Sequence, residues 1–296
     1  MLQPHYASQG LREIYVGFDS PDATFKLGVV MLIVKEVSKK TAIDFIHTYH
    51  YSKILPRLTK FYLGYFEENV LVGVVTLGWG TQPLQTIKKI FYNHDMVTTD
   101  YYEIGKMCFL PEKNGGNFGS LAMKLLIDWA KQNTKTKFIY TMADGIMGKC
   151  GFVYQASNFR YLGSFKTDVY MDKLTGEKMH PRSAKQLHIE NAKFLNKDKV
   201  FWLTQDFCEL KGIDRIRGLM FRYIYPLNKQ ARKIIETYPE YANLKNPKET
   251  NLLFERRIAA GKYETINKPN FNMNVFTHNY QKYTASDFAK EFFDIT

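Results

Sequence analysis

The chain has 296 residues, 45% of them hydrophobic, and 41 Lys and Arg against 29 Asp and Glu give it a formal charge of +12. This is apolar content enough for a buried core, and the positive excess favours polyanionic partners, nucleic acid first. The longest plainly apolar run, "GVVMLIV" from Gly28 to Val34, falls well short of the roughly 18 residues of a membrane span; Cys108, Cys150 and Cys208 form no CxxC pair or disulfide framework, which points to a reducing cytoplasm.

The opening stretch "MLQPHYASQGLREIYVGFDSPDATFK" lacks the order of a signal peptide and reads as a polar extension over residues 1–28. A β-branched run from Val29 to Val37 predicts a strand, and Ser38 stands where it would cap a helix over "KKTAIDFIHTYHYS". "KFYLGYFEENVLVGVVTLGWG" predicts a hairpin turning on Glu67, Glu68 and Asn69, and "YYEIGKMCF", Tyr101 to Phe109, alternates as a further strand. The glycine-rich loop "EKNGGNFGS" leads into a helix over "LAMKLLIDWAKQ", where Leu121, Leu125 and Trp129 recur at helical spacing.

"KFIYTMADG" follows as a buried strand, "VYQASNFRYLGSF" as a short helix turning into a strand, and "KTDVYMDKLTGEKMH" as a hairpin on Leu174, Thr175 and Gly176. Beyond His180 the chain grows more basic and aromatic, with a strand in "GLMFRYIYPL" and a helix in "NKQARKIIETYPEY". The tail from Asn243 is polar, irregular between Phe271 and Tyr280, and ends in "SDFAKEFFDI", which can dock as a short helix. Such alternation predicts an α/β (α+β) fold with a mixed central sheet flanked by helices. The expected division is an extension over 1–28, a catalytic domain over 29–227 and a helical and irregular extension over 228–296.

Asn114, Gly115, Gly116, Asn117, Gly119 and Ser120 precede a long helix, whose first-turn N–H groups attract anions such as phosphate. The order strand, glycine loop, long helix, strand resembles the way GNAT acyltransferases cradle the pyrophosphate of acyl-CoA. Phe118 departs from that family's motif, standing where its last small residue falls, and a loop that only needs positive φ has the same composition. Asp144 closes the strand "KFIYTMA", the end of an open α/β sheet where ligands bind. There it can serve as a general base, orient a substrate donor, or simply make an Asp-Gly turn or cap the next helix. Tyr154 is a phenolic acid or donor, or a core residue of an amphipathic helix. His47 and His50 lie about one turn apart near a helix end, a spacing that fits a metal and equally a helix dipole; no Cys or carboxylate motif partners them, and no metal is assigned. Lys106 is unexpected in a largely apolar strand, pointing either to solvent or to a ligand.

Taken in order, "HYS" at His50 to Ser52, "FYLGYFEENVLVGVVTLG", "YYEIGKMCF", "ADG" with "VYQASNF" behind it, and "FRYIYPLNKQARK" resemble the Mom family of phage DNA-modification proteins, GNAT-related enzymes that hypermodify adenine at its exocyclic amine. The likeness runs from about Lys35 to Lys233. It implies a GNAT-like fold and transfer of an acylamide-type group, acetamido or methylcarbamoyl, to adenine N6 in double-stranded DNA, protecting phage DNA from restriction. It also implies acetyl-CoA or another acyl-CoA-type donor. The family's catalytic positions fall on His50, Tyr51, Lys106, Asp144 and Tyr154, with Lys106 where the family tends to carry Arg; a lysine cannot reproduce the bidentate fork. Chemistry on a paired base needs the base flipped out, which makes Tyr51, Tyr102, Phe159 and Tyr161 candidates for stacking. Arg160, Lys166, Arg182, Lys185, Arg215, Arg217 and Arg222 are candidates for phosphate contact. Two other readings fit the same residues: a GNAT N-acyltransferase acting on a protein or small-molecule amine, and a non-catalytic DNA-binding protein on a GNAT scaffold.

Overall fold

The computed structural model describes residues 32–181, 184–275 and 277–278. The expected polar extension, the first residues of the first predicted strand, Arg182 and the terminal "SDFAKEFFDI" lie outside them.

In chain order the elements are β1 (Leu32–Glu36), α1 (Lys39–Tyr49), β2 (Leu58–Glu67), β3 (Val70–Trp79), α2 (Pro83–Ile90), β4 (Tyr101–Phe109), α3 (Phe118–Asn133) and β5 (Phe138–Asp144). Then come α4 (Phe152–Ala156), β6 (Arg160–Asp172), β7 (Lys178–Met179), α5 (Lys185–Phe194) and α6 (Gln205–Leu210). The chain continues through β8 (Ile213–Pro226), α7 (Lys229–Glu236), α8 (Pro239–Ala242), β9 (Phe254–Ala259) and β10 (Lys262–Thr265). This is the mixed α/β class the sequence predicts. The elements sort into two compact units.

The first unit takes the described residues through Thr141 together with Ala156–Phe159 and Ile224–Pro239. Its strands run in the order β1-β2-β3-β4-β5, antiparallel from β1 to β4 and parallel between β4 and β5. The β2–β3 turn puts Glu68 at φ 47° and Asn69 at φ 68°, the paired positive φ values of a two-residue turn whose twist matches that of the strands. Ser38 caps α1 as predicted, its Oγ accepting from the Thr41 amide at 3.0 Å. Helix α3 begins three residues before the predicted "LAMKLLIDWAKQ", at Phe118. It buries Ala122, Met123, Leu125, Leu126, Trp129 and Ala130, and the Tyr65 hydroxyl of β2 donates to the Ala122 carbonyl at 2.9 Å. Asn133 and Thr134 donate side-chain hydrogen bonds to the carbonyls of Trp129 and Ala130, satisfying acceptors that a helix end leaves open.

The second unit takes Met142–Gln155, Arg160–Tyr223 and the described residues from Glu240. Its strands run β8-β6-β7, with β9 on β8 and β10 on β9. The predicted hairpin on Leu174 to Gly176 pairs Tyr170 with Met179 and Met171 with Lys178. Helices α5 and α6 close over this sheet through Leu187, Phe207 and Cys208, which share a core with Tyr170, Met179, Leu203 and Ile213. Strand β8 starts five residues ahead of "GLMFRYIYPL". Among the described residues, no helix is long and apolar enough to cross a membrane.

Candidate active site

Within the first unit, one group of polar side chains gathers between β4 and the loop that follows α1. His50 ends that helix, its amide donating to the Ile46 carbonyl at 2.9 Å while its backbone turns extended. The imidazole Nδ1 lies 2.9 Å from the Ser52 amide and 2.8 Å from the Ser52 carbonyl, and the ring stacks on Tyr51 with centroids 4.5 Å apart. Lys106 reaches the same loop: its Nζ donates to Ser52 Oγ at 2.9 Å. His50, Tyr51 and Lys106 are thus joined around Ser52. Burial, then the neighbouring Lys53, lowers the pKa of His47 one turn earlier. Among the described residues no three His, Cys, Asp or Glu side chains form a cluster able to hold a metal.

The orientation of Lys106 depends on an irregularity in β4. Thr76 pairs with Lys106 but Leu77 pairs with Ile104, leaving Gly105 as an extra residue. Such a bulge sets successive residues against one partner and re-aims the side chains beyond it. Lys106 therefore falls on the face of Glu103 and Gly105 rather than with Ile104. The Thr76 hydroxyl accepts from the Lys106 amide at 2.9 Å and fixes the bulge.

Glu103 is a residue that sequence reasoning passed over. It lines a narrow recess with Pro56, Thr59, Gly78, Trp79 and Gly105, and its carboxylate accepts a hydrogen bond from the Gly80 amide. Burial pushes its pKa up to about 7 against the pull of that hydrogen bond. A glutamate in the middle of an apolar strand was the available signal; the bulge that gives it Lys106 as a face neighbour leaves no trace in the alternation.

The glycine loop stands open ahead of α3. Gly115 has φ 127° and Gly116 φ 52°, and a Cβ on either would meet nothing within 4 Å. Asn117 precedes the helix, and Gly119 and Ser120 lie in its first turn, with Ser120 Oγ donating to the Asn117 carbonyl at 2.9 Å. Asn114 is tied back by its amide to the Pro111 carbonyl at 3.1 Å. Phe118, the departure from the small-residue motif, packs edge-on against Phe109 with centroids 5.1 Å apart. Two positive-φ glycines stand in front of a 16-residue helix, an end whose first-turn amides can attract an anion.

In the second unit Asp144 makes both a cap and a charge pair. Its Oδ1 accepts from the Ile146 and Met147 amides at 3.1 and 3.3 Å, and its Oδ2 accepts from Lys178 Nζ at 2.8 Å. The glycine after it is obligatory, because a Cβ on Gly145 would stand 2.4 Å from the Leu219 carbonyl oxygen. Tyr154 is the buried residue of α4, its ring 5.5 Å from that of Tyr223. Tyr223 donates to the Cys150 carbonyl and accepts from Gln155 Nε2 at 3.0 Å.

The basic residues of this unit divide into two kinds. Arg215 and Arg217 on β8 both grip Asp168, each with Nε 2.7 Å from a carboxylate oxygen. Burial alone would raise the Asp168 pKa, but the hydrogen bonds from Arg217 and Arg215 overcome it and hold the carboxyl below the usual range. Arg222 donates to the Leu162 carbonyl at 2.9 Å. Arg160, Lys166 and Lys185 are exposed, and Lys166 pairs with Glu255 at 3.1 Å. Of the aromatics considered for stacking, Tyr102 and Phe159 in the first unit and Tyr161 in the second are buried, while Tyr51 keeps part of its ring at the surface.

Comparison with known proteins decides the kinship of these groups: residues 31–248 match the model of the Mom protein family. The chain belongs to the Mom protein family. The methylcarbamoylase mom of Escherichia phage Mu is 27% identical over 211 residues, spanning 70% of this Mom-family chain and 80% of that protein. Among solved structures, the ribosomal-protein-S5-alanine acetyltransferase of Vibrio fischeri superimposes with a TM-score of 0.36 at 12% identity, covering 70% of this chain and 98% of that one. An N-acetyltransferase of Staphylococcus aureus gives 0.33 at 13% identity, covering 67% and 98%. The family match includes the Ser52 cluster, Glu103, the glycine loop, Asp144 and Tyr154 in one continuous span.

Proposed function

We propose that this Mom-family chain is a DNA-modifying transferase that adds an acylamide-type group, acetamido or methylcarbamoyl, to the N6 amine of adenine in double-stranded DNA, and so protects phage DNA from restriction. The observation that carries this reading is the family match over residues 31–248, with a phage methylcarbamoylase among the relatives. An acyl-CoA-type donor, whose transferred portion has to carry the amide nitrogen of the added group, fits the open glycine loop, where the amides of the first turn of α3 face incoming phosphate.

Adenine's amine is a weak nucleophile because its lone pair is delocalised into the ring, so forming a bond at N6 requires a group to take the departing proton. A carboxylate that titrates near neutrality is matched to that task. In this reading Glu103 receives the proton, and Lys106, turned to the same face, supports developing negative charge as a point charge. His50 and Tyr51 form the wall on which the base lies, held by Ser52. Asp144, its oxygens committed to Lys178 and two amides, orients a substrate donor, and the Tyr154 phenol assists the departing donor fragment.

The test is incubation of the purified protein with duplex DNA and a panel of acyl-CoA donors, followed by mass analysis of the DNA and titration of released thiol. A mass gain on adenine-containing duplex with stoichiometric thiol supports the proposal. Thiol release with a protein or small amine as acceptor, and none with DNA, would contradict it.

A further inference from the structure

Carboxylates neutralise several cations in each unit. In the first, Lys40 meets Asp44 and Lys137 meets Asp100, both at 2.9 Å; in the second, Arg215 and Arg217 share Asp168. Helices α2 and α7 of the first unit are different. Lys88 and Lys89 on α2, and Lys229, Arg232 and Lys233 on α7, are all exposed, and none of them forms an ion pair among the described residues. Glu236 shares the exposed face of α7 and closes no pair with them. Helix stability does not account for this placement. Cations are favoured in the last turn of a helix and oppose its dipole in the first. Lys88, Lys89 and Lys233 suit that rule, but Lys229 opens α7 and Arg232 follows within about a turn, with no acidic residue beside them in the first turn.

The two helices are braced at their ends. Tyr238, just past α7, packs its ring 5.4 Å from that of Phe91, just past α2, and its hydroxyl accepts from the Asn93 amide at 3.0 Å. At its start α2 is tied to the Glu103 recess: the Gly80 amide donates to Glu103, and the Tyr101 hydroxyl donates to the Pro83 carbonyl at 3.0 Å. Lys88 and Lys89 lie about one and a half turns beyond Pro83, on an element that begins beside the recess. The exposed residues of α7, Lys229, Gln230, Arg232, Lys233 and Glu236, are all polar. A protein partner needs an apolar centre depleted of charge to bury, which this face lacks, whereas phosphate oxygens are met by Arg and Lys.

We infer, resting on duplex DNA as the proposed substrate, that the outer faces of α2 and α7 grip the phosphate backbone next to the Glu103 recess. Lys88 and Lys89 hold it from one helix, and Lys229, Arg232 and Lys233 from the other. Contacts of this kind set the register and orientation of the duplex and carry no sequence information.

The experiment measures affinity for a fluorescein-labelled duplex by anisotropy across a salt series. Wild type is compared with Lys88→Gln/Lys89→Gln and with Lys229→Gln/Arg232→Gln/Lys233→Gln. A control, Lys40→Gln/Lys166→Gln/Lys211→Gln, removes charge from exposed cations already held by carboxylates. An unchanged circular-dichroism melt checks the fold of each. A phosphate contact contributes roughly 0.9 to the slope of log affinity against log salt, so the slope should shrink by about 2–3 in the α7 variant and about 1–2 in the α2 variant. Affinity at low salt should fall about ten-fold or more in the α7 variant, while the control keeps the wild-type slope. Wild-type affinity and slope in both helix variants would overturn the grip and leave DNA as substrate intact. An equal loss in the control would show a response to net charge alone and also overturn the grip. Absence of duplex binding by the wild type would overturn the substrate proposal and the grip together. Wild-type binding to polyglutamate instead of duplex, lost in the α7 variant, would assign the face to an acidic protein partner and likewise overturn both.

Discussion

Burial beside Pro56 and Trp79 raises Glu103 to a pKa of about 7, and two consequences separate a catalytic from a structural role. As proton acceptor it must be ionised, so kcat/KM rises with pH through an apparent pKa near about 7. Glu103→Gln is expected to remove that limb and lower kcat by about 100-fold or more; a profile with the limb intact in the variant contradicts the assignment. The same shift acts on stability with a definite sign. Between the ordinary carboxyl value of 4.5 and about 7 the folded protein keeps a proton that the unfolded chain has lost, so Glu103 makes stability fall as pH rises through that window. Glu103→Gln should therefore be more stable than wild type at about pH 8, by roughly 1–3 kcal/mol, with the gain gone at about pH 4. Asp144 makes a different prediction. Asp144→Asn keeps an oxygen for the Ile146 and Met147 amides and loses the Lys178 charge pair, so a folded protein with about ten-fold or lower activity and an unchanged acid limb is expected. Unchanged turnover would remove Asp144 from the mechanism.

The bulge in β4 and the turn after β5 do for these residues what side-chain chemistry alone cannot. Gly145 sits against the Leu219 carbonyl, a backbone atom that has no rotamer by which to yield. Gly145→Ala should destabilise the protein by about 1–3 kcal/mol, read as a lower thermal midpoint; an unchanged midpoint would show that the β5 turn can relax. Much at this scale was legible in the sequence. Apolar alternation gave β4 from Tyr101 to Phe109, the Glu68-Asn69 hairpin and the Ser38 cap, because each rests on local propensity. Helix α2 and the β9–β10 hairpin have no counterpart among the sequence expectations. Helix α2 is only eight residues long, and β9–β10 is held by polar pairs rather than an apolar face: Arg256 with Glu264, and Arg217 of β8 stacked 3.7 Å from the Tyr263 ring centre. The bulge at Gly105 was illegible for another reason, since register is set by the neighbouring strand.

Across the molecule, a formal charge of +12 is a statement about partners rather than fold. The sequence shows the excess but not its allocation: Arg215 and Arg217 look like phosphate contacts in the linear chain, and their grip on Asp168 appears only when β6 and β8 lie side by side. If the remaining basic surface binds duplex phosphates, affinity should fall about a hundred-fold or more between about 50 mM and about 200 mM salt; a flat dependence would count against DNA. The order of segments was the most legible functional signal, and the family match over residues 31–248 agrees with it. Whether this kinship extends to the same substrate is best answered by mass spectrometry of nucleosides digested from plasmid DNA of cells expressing the wild type or Glu103→Gln. The account predicts a heavier deoxyadenosine with the wild type, its added mass naming the group, and little or none with the variant. Unmodified deoxyadenosine from cells that contain soluble, folded wild-type protein would contradict it.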